Sequence, residues 1–320
     1  MWKTIFRRTL ILIPQLILLS LVVFLLGLAM PGDALTGLID PNIEYVDIQR
    51  MREALGLNRP WPVRYVEWVT GMLQGDLGRS FVHQRSVTDL IGERAGNTFR
   101  LSLLTAIFTY SLGVPLGLLA GRFRETILDK GIIIYTFIAF TMPTILLGLI
   151  MVFVFGFWLR WFPIQGSVDV RIATGSFEYW MSRMHHLLLP AITGAILGTV
   201  GIVNLLRTQV IEYENSDFVT TARSKGVPRR TVYTRHIFRN ACLPIAASIG
   251  FVITGLLGGS IFIEQVFAFP GMGNLFITSI LQRDFAVANS LVMIFGALVI
   301  IGTLLSDIII TIVDPRIRIK

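Results

Sequence analysis

The sequence predicts an all-α membrane protein with six transmembrane helices. A small extracytoplasmic helical domain is expected between spans 1 and 2, and a short cytoplasmic helix between spans 4 and 5. Three observations carry this expectation. The chain of 320 residues is 53% hydrophobic and 15% charged, with a mean hydropathy of +0.69, where an ordinary soluble domain carries about 25% charge. Apolar blocks of about 20 residues recur, each long enough to cross a hydrocarbon core of about 30 Å as a helix. Lys and Arg gather in the connections between alternate blocks, the asymmetry that fixes which loops stay in the cytoplasm.

Taken in order, residues 1–30 join a basic start (Lys3, Arg7, Arg8) to an apolar stretch over 10–30. A secretory signal has a shorter apolar core and a small-residue cleavage site. Neither is visible, so this reads as a retained first span. Residues 31–98 are too polar to span and are patterned as a folded unit. "EYVDIQRMREALGLNRP" reads as an amphipathic helix ending at Gly56, with Pro60 beyond it. "WPVRYVEWVTGMLQGDLG" reads as a second helix closed by a Gly-rich turn. Its Trp61, Tyr65 and Trp68 recur at helical spacing, which fits packing on the membrane surface or the first span better than a ligand box.

Residues 99–320 supply the other five spans, at about 99–121, 131–158, 187–209, 241–263 and 288–313. The third is too long for an untilted helix, and Pro143 predicts a kink in it. Gly113, Gly117 and Gly121 form a row at four-residue spacing, and Gly194 with Gly198 another. Such rows let helix backbones approach closely in lipid. With the N-terminus inside, the inner segments 1–9, 122–130, 210–240 and 314–320 hold 15 Lys or Arg, including all four lysines. The outer segments 159–186 and 264–287 hold Arg160, Arg171, Arg183 and Arg283. Both termini are therefore expected in the cytoplasm.

Several kinds of chemistry are excluded on sequence. The net charge of +8 sits in short loops, which reports topology and not a nucleic-acid face. One cysteine, Cys242, permits no internal disulfide and no cysteine-based metal cluster. No phosphate-binding loop and no His-Glu-x-x-His appears. Of the four histidines, the adjacent His185 and His186 cannot share a helix face, and none of the four lies inside an expected span to serve Ser102, Ser111, Ser248, Ser260 or Ser306 as a base. A stand-alone channel or secondary carrier stays open as the alternative reading, though such proteins tend to place ionisable groups deep in the membrane. Here they are few: Asp307, Glu264 and Arg207. Arg207 and Asp307 share an inner depth, so an intramembrane pair between them is expected.

The apolar pattern is interrupted over 210–240, and "NSDFVTTARSKGVPRRTVYTRHIFRN" alone carries six Lys or Arg. Asn215, Ser216 and Asp217 supply helix-start chemistry, Gly226 suits a left-handed helix stop, and Pro228 fits the start of a second helix. The expected surface combines Phe218 with the small residues Thr220, Thr221, Ala222 and Ser224 inside a basic rim. A topogenic loop needs a few charges but no such helix–Gly–helix pattern. Small residues with one aromatic anchor suit a groove on a partner.

"DFVTTARSKG" followed by "RHIFRNACLP" resembles the coupling loop of membrane subunits in ATP-binding-cassette importers, and more narrowly the dipeptide/oligopeptide/nickel branch. "PGD" at 31–33, "LGLNRP" at 55–60, "GDLGRS" at 75–80, "FAFPGMGNLF" at 267–276, "RDFAV" at 283–287 and "DPRIR" at 314–318 extend the likeness over the whole chain. The wider superfamily has Glu-Ala-Ala where this chain has Thr220, Thr221 and Ala222, and its later Leu-Pro falls on Phe238 and Arg239. The resemblance implies a B-type permease subunit for oligopeptides or dipeptides, with nickel or another small solute of the same branch as the alternative, and without its own ATPase site. It implies a prokaryotic cytoplasmic (inner) membrane location. It also implies a second homologous permease subunit, two cytoplasmic ATPase subunits that bind ATP and Mg, and an extracytoplasmic substrate-binding protein. By this likeness the ATPase-coupling residues are Asp217, Phe218, Thr220, Thr221, Ala222, Arg223, Ser224, Lys225, Gly226, His236 and Arg239. Residues 265–285, with Phe269, Pro270 and Gly271, are the expected outer lid or re-entrant turn.

Overall fold

The computed structural model describes residues 2–29, 49–50, 52–53, 56 and 58–313. Among these, regular structure is helical apart from one isolated bridge between Arg79 and Ser86. The elements used below are α1 (Trp2–Ala29), α2 (Trp61–Leu73), α3 (Val87–Arg122), α4 (Ile127–Thr141) and α5 (Thr144–Met151, continued by a π-helical turn, Val152–Trp158). Then follow α6 (Phe177–Glu214), α7 (Asp217–Ser224) and α8 (the helical run 229–241, π-wound over Val232–Ile237). The last are α9 (Leu243–Gly258), α10 (Ile261–Val266), α11 (Met272–Leu281) and α12 (Phe285–Val313).

Among the described residues, five stretches are long and apolar enough to cross a membrane: Phe6–Ala29, Val87–Arg122, Phe177–Glu214, Leu243–Val266 and Phe285–Ile312. A sixth is possible only if α4 and the Thr144–Trp158 stretch count as one span, and these are bent by 106°. The break is far sharper than the kink expected at Pro143. Met142 is extended (ψ 121°), as a residue before proline prefers to be, and Pro143 has no N–H to carry the helix ladder across.

The helices also overrun their expected limits. α3 starts at Val87, so the boundary at residue 98 falls inside it. α6 has 38 residues, about 57 Å at 1.5 Å per residue, and projects well beyond a hydrocarbon core. The amphipathic helix expected over 44–60 lies largely outside the described residues. The second helix of that unit forms as α2 and packs on α1: Tyr65 hydroxyl meets Ser20 Oγ at 2.8 Å, and Phe24 stacks against Tyr65 and Trp68 with ring centroids 5.4 and 5.8 Å apart.

The centre of the fold is the α3–α6 seam, where the glycine rows meet as their spacing predicts. A Cβ on Gly117 would lie 2.8 Å from Leu206 Cβ and 3.1 Å from Val203 O; one on Gly121 would lie 2.6 Å from Val210 Cβ. From the other helix, Gly194 and Gly198 would meet Thr105 and Thr109 at 2.8 Å. Between α9 and α12 the approach is closer still, with Gly250 against the Leu305–Ser306 backbone. Lipid tails are as apolar as the side chains, so this close packing has to supply the attraction that hydrophobicity supplies in water.

Candidate functional site

The segment after α6 forms the predicted helix–glycine–helix. Ser216 is extended at the start of α7. Past Ser224 the chain turns through Gly226 at φ +74°, with Gly226 N–H donating to Arg223 O and Val227 N–H to Ala222 O. These two bonds satisfy the last carbonyls of α7, and the left-handed residue between them favours glycine. Pro228 stands at the N-cap of α8, one place ahead of the expected first turn.

Two faces of α7 are distinguished by burial. Val219 and Ala222 are buried with Leu206 and Val210 of α6 and Val232, Tyr233 and Ile237 of α8. Ala222 therefore belongs to the inner face and is not on the exposed surface the sequence assigned it to. Its i, i+3 spacing to Val219 makes both face the bundle. Asp217, Phe218, Thr220, Thr221, Arg223, Ser224, Lys225, Gly226 and Arg239 are exposed, and His236 is half-buried. The hydroxyls of Thr221 and Ser224 donate back to Asp217 O and Thr220 O, so their polar atoms are met within α7. Phe218 remains exposed, its ring 6.0 Å from that of Tyr213.

Glu214, the last residue of α6, is the hub of this region. Its Oε1 accepts from Arg223 Nη2 at 2.9 Å and from the Tyr233 hydroxyl at 2.6 Å. The guanidinium groups of Arg122 and Arg229 lie 5.2 and 6.0 Å from the Tyr233 ring. Burial, and then the Glu214 carboxylate, push the Tyr233 phenol above its ordinary value. The hub ties α7 and α8 to the end of α6, with α3 alongside.

The expected Arg207–Asp307 pair does not form. Arg207 of α6 instead makes a two-pronged bond to Asp129 of α4, Nε to Oδ1 at 2.7 Å and Nη2 to Oδ2 at 2.9 Å. Asp307 pairs with Arg8 of α1. Arg207 and Asp307 do lie towards the same end of the bundle, but α6 and α12 present them to different neighbours.

At the far end, the loop after α10 and the start of α11 close around one carboxylate. Glu264 is 0% exposed. Its Oε2 accepts from the N–H groups of Gly273 (2.7 Å) and Asn274 (3.0 Å), at the start of α11, and its Oε1 accepts from Thr98 Oγ1 of α3 (2.8 Å). Thr98 Oγ1 in turn accepts from Met272 N–H at 2.7 Å. Three orphan N–H groups of α11 are thus met by two side chains. The glycines of "FPGMG" make room: a Cβ on Gly271 would fall on the Glu264 carboxylate, and one on Gly273 would lie 2.7 Å from Ile261 Cα. Phe267 and Phe269 are buried beneath, beside Met151, Leu187 and Leu189. Arg183 holds Asn97, which donates to Pro270 O. The segment expected as an outer lid or re-entrant turn is a helical hairpin packed against α3 and α12.

Between α3, α6 and α9 lies an open cavity of about 340 Å³. Ser102, Thr105, Thr109, Tyr110 and Ser260 line it among aliphatic side chains, and no charged residue does.

These features coincide with family relationships. Residues 1–102 match the N-terminal model of binding-protein-dependent transport system membrane components, and residues 113–319 match the model for inner membrane components of such systems. The chain belongs to this family of ATP-binding-cassette transport permeases. Among its relatives is the oligopeptide transport system permease protein AppB of Bacillus subtilis (strain 168), 37% identical over 315 residues, with 98% of each chain covered. A putative peptide transport system permease protein of Brucella abortus (strain 2308) is 32% identical over 318 residues, with 99% of each covered. A probable peptide ABC transporter permease protein of Sinorhizobium fredii (strain NBRC 101917 / NGR234) is 30% identical over 314 residues, with 98% of each covered.

Sequence reasoning missed Asp129, Glu214 and Thr98 as partners and gave Glu264 no role beyond its depth. The signal for Glu264 was present in the Pro-Gly-Met-Gly run that follows it, since glycines in such a run mark a close approach. Asp129 was hidden because its segment, 122–130, reads as a loop. Thr126 caps α4 there and brings Asp129 into the first helical turn.

Proposed function

We propose that this permease carries oligopeptides or dipeptides into a prokaryotic cell as one of two similar membrane subunits. Its α7 end faces the cytoplasm, where α7 docks in a groove of a separate ATPase subunit that binds ATP and Mg. An extracytoplasmic binding protein delivers substrate at the far end. The orientation rests on the Lys and Arg asymmetry, and the peptide reading on the relatives' names together with a cavity lined by hydroxyls and no charges, which suits a varied peptide backbone.

The observation that carries the coupling role is the two-faced α7. Its exposed face offers Phe218, Thr220 and Thr221, while its inner face is locked by Val219, Ala222 and the Glu214 hub. A pull on α7 therefore loads the end of α6. From there it reaches α3 through the glycine seam and α4 through Arg207–Asp129. Such an element couples two equilibria when its docking contacts differ between the two states.

The test is purification of the chain from native membranes with its stoichiometric partners, followed by uptake in liposomes. ATPase chains and a second permease are expected to co-purify. Phe218→Asp or Thr221→Arg, both on the exposed face, should release the ATPase chains and abolish ATP-driven uptake. Uptake of peptide by the chain alone, without ATP, would overturn the proposal.

A further inference from the structure

Where α1 meets α12, at the end of the bundle that carries α7, there is a cavity of about 420 Å³ that the transport role does not use. It is lined by Arg7, Arg8, Ile11, Leu12 and Gln15 of α1 and by Thr303, Leu304 and Asp307 of α12. Its composition changes with depth. Arg7 and Arg8 stand at the mouth, just before the apolar stretch of α1. Ile11, Leu12 and Leu304 form the walls, and Gln15 lies two turns deeper than Arg7, about 12 Å along the axis at 1.5 Å per residue.

The charges at the mouth do not balance. Asp307 is taken up by Arg8, while no described residue bonds the exposed guanidinium of Arg7. The cavity therefore presents one net positive charge above apolar walls, at the level where a membrane-spanning helix leaves the hydrocarbon. Thr303 donates its hydroxyl to Val299 O, so the wall contributed by α12 asks for no polar ligand. A soluble anion could satisfy Arg7 but would leave Ile11, Leu12 and Leu304 uncovered. A molecule with an anionic head and an apolar tail meets both ends at once, and basic pockets between membrane helices on the cytoplasmic side favour such headgroups.

We propose that this cavity is a binding site for one anionic phospholipid, its phosphate on Arg7 and its acyl chain along Ile11, Leu12 and Leu304. Asp307 acts as an internal competitor there, holding Arg8 away from the headgroup. The two acidic and basic partners at the mouth thus make opposite predictions. Removing Arg7 weakens lipid binding, whereas removing Asp307 frees a second guanidinium and strengthens it. A purely structural Arg8–Asp307 contact would show no such reversal. The inference depends on the chain spanning a membrane and not on what it transports.

The experiment uses the full permease with whatever subunits co-purify, exchanged into nanodiscs of phosphatidylcholine with and without phosphatidylglycerol. Lipid retained per chain is read by native mass spectrometry. Arg7 is exposed and unpaired, so Arg7→Gln leaves the fold intact and should lower phosphatidylglycerol retention about fivefold, the loss expected for one basic group at a membrane surface. Asp307→Asn should raise retention by a similar factor. Arg124→Gln, which removes an exposed charge from the α3–α4 connection, should change nothing. Three results would overturn the proposal: Arg7→Gln retaining lipid like the wild type, Asp307→Asn lowering retention, or inorganic phosphate displacing phosphatidylglycerol completely. The last would make the site one for free phosphate.

Discussion

At the α7 end of the bundle, the chain between α6 and α9 is held by the Glu214 hub, whose Arg223 partner is 47% exposed. At the far end, the chain between α10 and α12 is held by Glu264, which is not exposed at all. Both ends use a carboxylate with several donors, but water treats them differently. Exposed pairs contribute about 0–1 kcal/mol each, because solvent offers nearly the same bonds. A buried carboxylate has no such substitute, so its donors are left unmet if it moves. The difference makes the Glu264 closure the costlier of the two to open, while the Arg223 bond at the α7 end exchanges readily with water.

The largest effect should come from the bond that holds α4 on α6. Arg207→Ala leaves Asp129, which is 1% exposed, with only the Glu125 N–H as donor, and should cost about 3 kcal/mol, the low end for a buried pair. Thermal unfolding in detergent reads this loss, and pairing it with Asp129→Asn should recover most of it. Persistence of the full loss in the double variant would show that packing, and not charge, holds α4 on α6. Next, Glu264→Ala orphans the Gly273 and Asn274 N–H groups and should cost on the order of 3 kcal/mol. Protease access to α11 should rise with it, while access to α7 stays unchanged.

Smaller effects belong to α7 and its glycine stop. Gly226→Ala places a Cβ at φ +74° and should cost about 1–2 kcal/mol, read as fraying of α7 in hydrogen exchange. Arg223→Gln should cost less than about 1 kcal/mol. If it costs as much as Glu264→Ala, the contrast between the two ends fails.

A titration sharpens the same contrast. Burial and Glu214 favour the neutral Tyr233 phenol in the folded loop. The stabilisation is therefore complete below the ordinary phenol value of about 10 and is lost as pH rises through the higher folded value. Proteolysis of 217–241 should accelerate in that alkaline window, and Tyr233→Phe should remove the pH dependence.

The glycine rows and the Gly226 stop were legible because each follows from local geometry. Four-residue spacing places Gly113, Gly117 and Gly121 on one helix face whatever they meet, and the left-handed turn is a property of the backbone at one residue. The face of Ala222 was not legible as a separate fact, because a small residue fits a docking surface and a close helix contact equally well. The Arg207 partner was misread for a similar reason. Membrane depth follows from position along a span, but which neighbour a side chain meets depends on the rotation of α6 about its axis, and that is set by the seam with α3.

The sequence by itself determined the membrane class, the places of most spans, the helix–glycine–helix between α6 and α9 and, through its motifs, the family. These are written in apolar periodicity and local backbone chemistry, which act over a few residues. Tertiary structure alone decided that Pro143 marks a 106° break, that Asp129 and not Asp307 answers Arg207, and that Glu264 seals the start of α11. Each of these is a long-range pairing of polar groups out of water, where a bond exists only if packing brings its two partners together.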